Sequence, residues 1–160
     1  MNLIIRKGTN QDVSDILGLI QHLADFENEP NAVEVTEEEL LQDGFGENPL
    51  YKVFIAEVDG AVVGMALYYY RYSTWKGKTI HLEDLIVRAE MRKKGIGRAL
   101  YEAVMQQAHK EGVRRVEWVV LDWNTPARDF YIASGAQILQ GWETVQMDEE
   151  GLKTFISKLK

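Results

Sequence analysis

Between residues 88 and 98 the chain carries Arg88, Arg92, Lys93, Lys94 and Arg98, with Gly95 and Gly97 two positions apart inside that run. The pattern lies where a strand-like stretch, His81-Leu82-Glu83-Asp84-Leu85-Ile86-Val87, gives way to a helix-like one. Glycines there let the backbone approach a ligand and adopt positive φ. The unpaired N–H groups at a helix start, together with the helix dipole, attract phosphate. Five cations in eleven residues of an acidic chain point to a polyanionic ligand. The spacing is not that of a nucleotide P-loop, which ends in Lys-Ser/Thr. Nor is it a dinucleotide fingerprint, which needs three glycines and a later acid. The bland alternative is a tight turn with a solvated basic rim.

A second group of residues could move protons. Glu83 and Asp84 are adjacent in an apolar strand, where burial and like charge can raise one of the two pKa values. The three histidines, His22, His81 and His109, lack metal-ligand spacing, and there is no cysteine. No catalytic metal is expected. No serine sits in a nucleophile-elbow pattern, so a covalent acyl-enzyme is not expected either.

Composition bounds the partners. The 160 residues fit one domain, 1–160, with 46% apolar residues and a formal net charge of −7. That charge argues against general nucleic-acid binding and suits a cationic substrate or plain solubility equally well. The first ten residues do not read as a signal peptide, and every apolar stretch is too short to span a membrane. A cytoplasmic protein is the expectation.

The elements that must position these residues follow from periodicity. Residues 2–6 read as a strand. Residues 12–27 read as a helix, with Val13, Ile16, Leu17, Ile20, Leu23 and Ala24 on one face. A loop containing Pro30 follows, then a short helix announced by the capping box Thr36-Glu37-Glu38-Glu39. Residues 51–58 and 61–72 read as strands joined by an Asp59-Gly60 turn. Residues 79–87 give another strand, and 95–111 a strong helix ended by Gly112. Residues 113–121 predict a buried strand, and 125–134 a helix with Pro126 in its first turn. Residues 136–147 predict one or two more strands, and 149–159 a closing helix. This order mixes hairpins with one strand–helix–strand crossover. It predicts an α/β fold of the α+β type: a mixed, mostly antiparallel sheet with helices on both faces.

Arg92-x-x-Gly95-x-Gly97 between strand and helix resembles the acyl-CoA motif of the GNAT N-acetyltransferase superfamily. The likeness runs over nearly the whole chain. Gly44-Phe45-Gly46, Tyr68-Tyr69-Tyr70, Ser73-Thr74-Trp75-Lys76-Gly77, Leu82-Glu83-Asp84, Leu121-Asp122-Trp123-Asn124 and Phe130-Tyr131 before Gly135-Ala136 resemble the diamine acetyltransferase group. That group holds spermidine/spermine acetyltransferases and thialysine N-acetyltransferases. The Ser-Thr-Trp-Lys-Gly and Val-Leu-Asp-Trp-Asn stretches are more similar to the thialysine branch; the polyamine branch usually has aspartate in place of Ser73.

The resemblance implies a GNAT-like fold, acetyl-CoA as cosubstrate and a small primary amine as acceptor. It implies that Arg92, Lys93, Lys94, Gly95, Ile96, Gly97 and Arg98 hold the CoA pyrophosphate. Leu85, Ile86 and Val87 would supply the strand edge for pantetheine, and Asn124 a bond to the CoA arm, though Asn124 also reads as a helix cap. An alkylamine has a pKa of ~10.4 and needs a proton acceptor. The resemblance gives that role to Glu83, acting through water, and gives Tyr131 the role of acid toward the departing thiolate. Phe26, Glu27, Trp75, Glu83 and Asp84 would meet the cationic amine. Glu27 reads equally as a surface charge, Trp75 as a hairpin packing residue, and Asp84 as a solvent-facing strand residue. Direct transfer in a ternary complex and a homodimer are also implied. Two alternatives stand beside this reading: a non-catalytic acyl-CoA sensor module and a protein-lysine acetyltransferase.

Overall fold

A computed structural model describes residues 1–159. The chain forms two compact units, Met1–Val119 and the residues from Val120 onward. The first unit holds the whole sheet: β1 (Leu3–Lys7), β2 (Lys52–Val58), β3 (Ala61–Ser73), β4 (Gly77–Val87) and β5 (Val116–Glu117). Their spatial order is β1-β2-β3-β4-β5. The first three neighbour pairs are antiparallel and β4–β5 is parallel.

Helices α1 (Val13–Phe26) and α2 (Glu37–Phe45) cover one face of this sheet. Val13, Ile16, Leu19 and Leu40 pack there with Val53, Ile55, Met65, Leu67 and Ile86. Helix α3 (Ile96–Glu111) covers the other face, burying Ile96, Leu100, Val104 and Ala108. Gly64, one residue out of phase with Met65, lies on the α3 side. A Cβ there would meet the Ile86 carbonyl at 2.7 Å and Leu100 Cδ1 at 3.3 Å. The mixed, mostly antiparallel sheet with helices on both faces therefore stands as the periodicity predicted.

Local signals held where they are chemical. Thr36 Oγ1 accepts from the Glu39 N–H at 3.2 Å, and Glu39 Oε2 accepts from the Thr36 N–H at 2.8 Å. Asp59 (φ 50°) and Gly60 (φ 86°) make the hairpin turn, whose positive φ values match strand twist. The corner into α1 is locked by Arg6, which donates to Asp12 Oδ1 at 2.7 Å and Oδ2 at 2.8 Å. Thr9 donates to the same carboxylate, which is 5% exposed and held down at a pKa of about 2, chiefly by the Arg6 bonds.

Two strand expectations fail. Of residues 113–121 only Val116 and Glu117 join the sheet, and both are half-buried. The parallel ladder spans only Ile80–Val116 and His81–Glu117. Residues 136–147 form no strand. Gly141 takes φ 84°, which breaks an extended run, and the described residues of the second unit contain no strand for these residues to pair with. That unit consists of α4 (Thr125–Ala133), the irregular segment and α5 (Glu149–Ser157).

Candidate active site

The site begins with a defect in the β3–β4 ladder. Leu67 pairs with Asp84 and Tyr68 with Leu82, which leaves Glu83 opposite nothing. Such a bulge re-aims side chains that simple alternation would send to opposite faces. Glu83 Oε2 accepts the Tyr69 hydroxyl at 2.8 Å and lies 3.4 Å from His81 Nε2. Its side chain is 49% exposed, so it is free to meet solvent and ligand.

Asp84 differs sharply from its neighbour. Burial pushes its carboxyl up to about 7, and the charges of Glu83 and Glu27 push the same way. Sequence reasoning allowed a raised group in this acid pair, and Asp84 is raised. Glu27 comes from the end of α1, where Asn28 adopts φ 64° and the Glu29 N–H bonds the Ala24 carbonyl at 2.9 Å. This left-handed stop uses asparagine instead of glycine. Partial burial raises the Glu27 carboxyl too. Three carboxylates from two elements therefore act on one another. Such a cluster attracts an ammonium group and offers it a proton acceptor.

Beyond the bulge β4 has a neighbour on one side only. β5 pairs with Ile80 and His81, so residues 83–87 have no sheet partner opposite β3. The Val87 carbonyl accepts from Arg92 Nε at 3.1 Å, and the Arg92 guanidinium lies 4.7 Å from the centroid of the Phe26 ring. Arg88 turns away, toward the Val62 carbonyl and Asp15. Of the five cations, these two brace the strand end, while Lys93, Lys94 and Arg98 are exposed.

The loop then takes φ 61° at Lys93 and φ 80° at Gly95 before α3 starts at Ile96. Positive φ at a lysine is strained, and such strain collects at ligand sites. No side chain caps this helix. The N–H groups of Ile96, Gly97 and Arg98 therefore point outward without an intrahelical acceptor. A Cβ at Gly97 would sit 3.6 Å from Val87 Cγ2, so the helix start lies close against the end of β4. These groups suit the pyrophosphate of a coenzyme: free amides, a positive dipole end and three exposed cations.

Trp75 stands elsewhere. It lies in the β3–β4 turn, 79% exposed, with its backbone N–H held by Ser73 Oγ at 3.2 Å. The six residue steps from Gly77 to Glu83 put it ~20 Å from the acids. In the second unit, Asn124 Oδ1 accepts from the Ala127 N–H at 3.4 Å, which is the capping role. Tyr131 sits on α4 beside Phe130, ring centroids 5.5 Å apart. Sequence reasoning did not single out Tyr69, Arg71 or His81. Tyr69 falls in a noted tyrosine run, but its contact with Glu83 depends on strand register.

Comparison with known proteins agrees with this geometry. The acetyltransferase (GNAT) family profile matches residues 18–135. A thialysine N-epsilon-acetyltransferase from Bos taurus is 40% identical over 167 residues, covering 98% of each chain. A spermidine/spermine N(1)-acetyltransferase-like protein from Homo sapiens is 35% identical over 92% of this chain and 23% of its own length. An integron cassette protein from the mobile metagenome of V. cholerae shares the fold, with TM-score 0.81 and 24% identity over 99% of each chain. The chain belongs to the acetyltransferase (GNAT) family and is an N-acetyltransferase.

Proposed function

We propose that this enzyme moves the acetyl group of acetyl-CoA to the primary amine of a small molecule by direct attack in a ternary complex. The acceptor is thialysine or a similar lysine-like amino acid, or else a diamine or polyamine. The observation that carries this reading is the trio Glu27, Glu83 and Asp84 at the bulge where β4 loses its second neighbour. Acetyl-CoA supplies the activated acyl group. The α3 amides with Lys93, Lys94 and Arg98 bind its pyrophosphate, and residues 85–87 line its pantetheine arm. Glu83 takes the proton of the incoming ammonium, through water. Tyr131 holds the proton that the departing sulfur takes up, and Asn124 steadies the arm.

The family match crosses the boundary between the two compact units. That supports a single acetyltransferase domain. A homodimer belongs to the same proposal and rests on the resemblance to the diamine acetyltransferase group.

Acetylation of thialysine, lysine, putrescine and spermidine under identical conditions tests the substrate class. The Ser73 stretch and the thialysine relative favour the amino-acid acceptors. Failure to acetylate any of the four would remove the reading.

A further inference from the structure

Behind Glu83 runs a chain of polar contacts that the proton-transfer scheme does not use. Arg71 on β3 and His81 on β4 share a sheet face, because Tyr69 pairs with His81 and Arg71 with Thr79. Arg71 Nη1 lies 3.2 Å from His81 Nδ1. It also makes an ion pair with Glu117 Oε1 on β5 at 2.7 Å, and Arg115 Nε approaches Glu117 Oε2 at 3.3 Å. His81 Nε2 lies 3.4 Å from Glu83 Oε2, a contact at ion-pair distance. The Tyr69 ring packs on the imidazole, centroids 5.2 Å apart.

We infer that Arg71 and His81 are positioning residues for Glu83: Arg71 fixes which imidazole nitrogen carries the hydrogen, and His81 then aims the carboxylate. The inference rests on the reading of Glu83 as proton acceptor.

The tautomer follows from donor counting. A guanidinium has only donors, so His81 Nδ1 must present its lone pair to Arg71. The neutral ring then carries its hydrogen on Nε2, facing Glu83. A doubly protonated ring would set N–H against N–H at Arg71. The ring is 8% exposed, and burial lowers its pKa, as does the Arg71 charge, while Glu83 and Glu117 oppose. Those three residues with Tyr69 are the polar groups that meet the ring from β3, β4 and β5.

The consequence for Glu83 is directional. Its Oε2 faces both the Tyr69 hydroxyl and the His81 N–H. Its Oε1 is then the oxygen left to take a proton from the amine side. His81 is not a relay, because its only lone pair is committed to Arg71. It sets the orientation of the acid without receiving the proton. Glu117 extends this brace to β5, where the sheet is still closed, so the aim of Glu83 is referred to the rigid part of β4.

The test uses the full-length enzyme with 15N-labelled histidine. The expected spectrum at pH 7 shows His81 neutral, with its hydrogen on Nε2. In Arg71→Met, a change at a half-exposed side chain, both tautomers appear and kcat falls about tenfold with KM for acetyl-CoA unchanged. His81→Gln, whose amide nitrogen can stand in for Nε2, retains most of kcat. His81→Asn, whose amide reaches only the Nδ1 position, loses about tenfold. A His81 hydrogen on Nδ1, or a charged ring at pH 7, would overturn the inference without any variant. So would Arg71→Met with the wild-type tautomer and kcat. Glu83→Gln separates the two claims. If that variant keeps full turnover the acceptor reading fails, whatever the tautomer. If it loses turnover while His81 shows the wrong tautomer, only the positioning inference fails.

Discussion

The two halves of β4 are built for different work. Residues 77–82 pair with β3, and Ile80 and His81 also pair with β5; Thr79, Ile80, His81 and Leu82 are all buried. Residues 83–87 follow a bulge, keep β3 alone, and carry the exposed Glu83 at the junction. One strand therefore supplies a clamped end that holds its place and an open end with spare backbone groups. The difference teaches that a single unopposed residue is enough to separate scaffold from site. Removing the bulge would restore simple alternation, which puts Glu83 and Asp84 on opposite faces.

If that division is right, substitutions at the open end change chemistry and those at the closed end change folding. The largest effect is expected at Glu83. Glu83→Gln should cost about 10²–10⁴ in kcat, with CoA affinity and the urea midpoint unchanged. Steady-state rates and a denaturation curve on the same preparation check both parts. Ile80, fully buried in the closed half, should behave in reverse. Ile80→Ala should lower folding stability by about 2–5 kcal/mol while CoA affinity, measured by titration calorimetry at low temperature, stays as in the wild type.

Asp84 sharpens the comparison because it stands in the open half beside the bulge and yet carries a raised carboxyl. Its folded carboxyl is raised to about 7 from 3.8. The native state therefore keeps a proton that the unfolded chain has lost, and stability falls as pH rises between those values. Asp84→Asn removes that dependence. The variant should be more stable than the wild type, by a larger margin at pH 8 than at pH 5, in urea titrations at the two pH values. An equal margin at both would place Asp84 outside the acid cluster. The smallest effect is at Lys93. Lys93→Gly should relieve the φ 61° strain and raise stability by about 1 kcal/mol, while weakening CoA binding severalfold through the lost charge.

Much of this was legible from sequence, for reasons that differ by element. The Arg92–Gly97 loop is a local feature: glycine spacing and charge lie within a few residues, and the helix that follows has its own periodicity. The Thr36 capping box and the Asp59-Gly60 turn are local in the same way. Glu27, Glu83 and Asp84 were visible as acids, but which of the two neighbours is raised depends on burial, and burial depends on the bulge. Nothing in Leu82-Glu83-Asp84 marks an unopposed residue, because a bulge is a property of two strands. The Arg71–His81 contact is hidden for the same reason, being set by the register of β3 on β4. Residues 136–147 hold strand-forming residues such as Ile138, Trp142 and Val145, yet composition does not encode a partner edge, and Gly141 interrupts the run.

Amide hydrogen exchange with and without CoA tests the central claim most directly. The account predicts new protection at residues 85–87 and at Ile96, Gly97 and Arg98, with residues 79–82 already protected and unchanged. Protection confined to other segments, or none at saturating CoA, would contradict it.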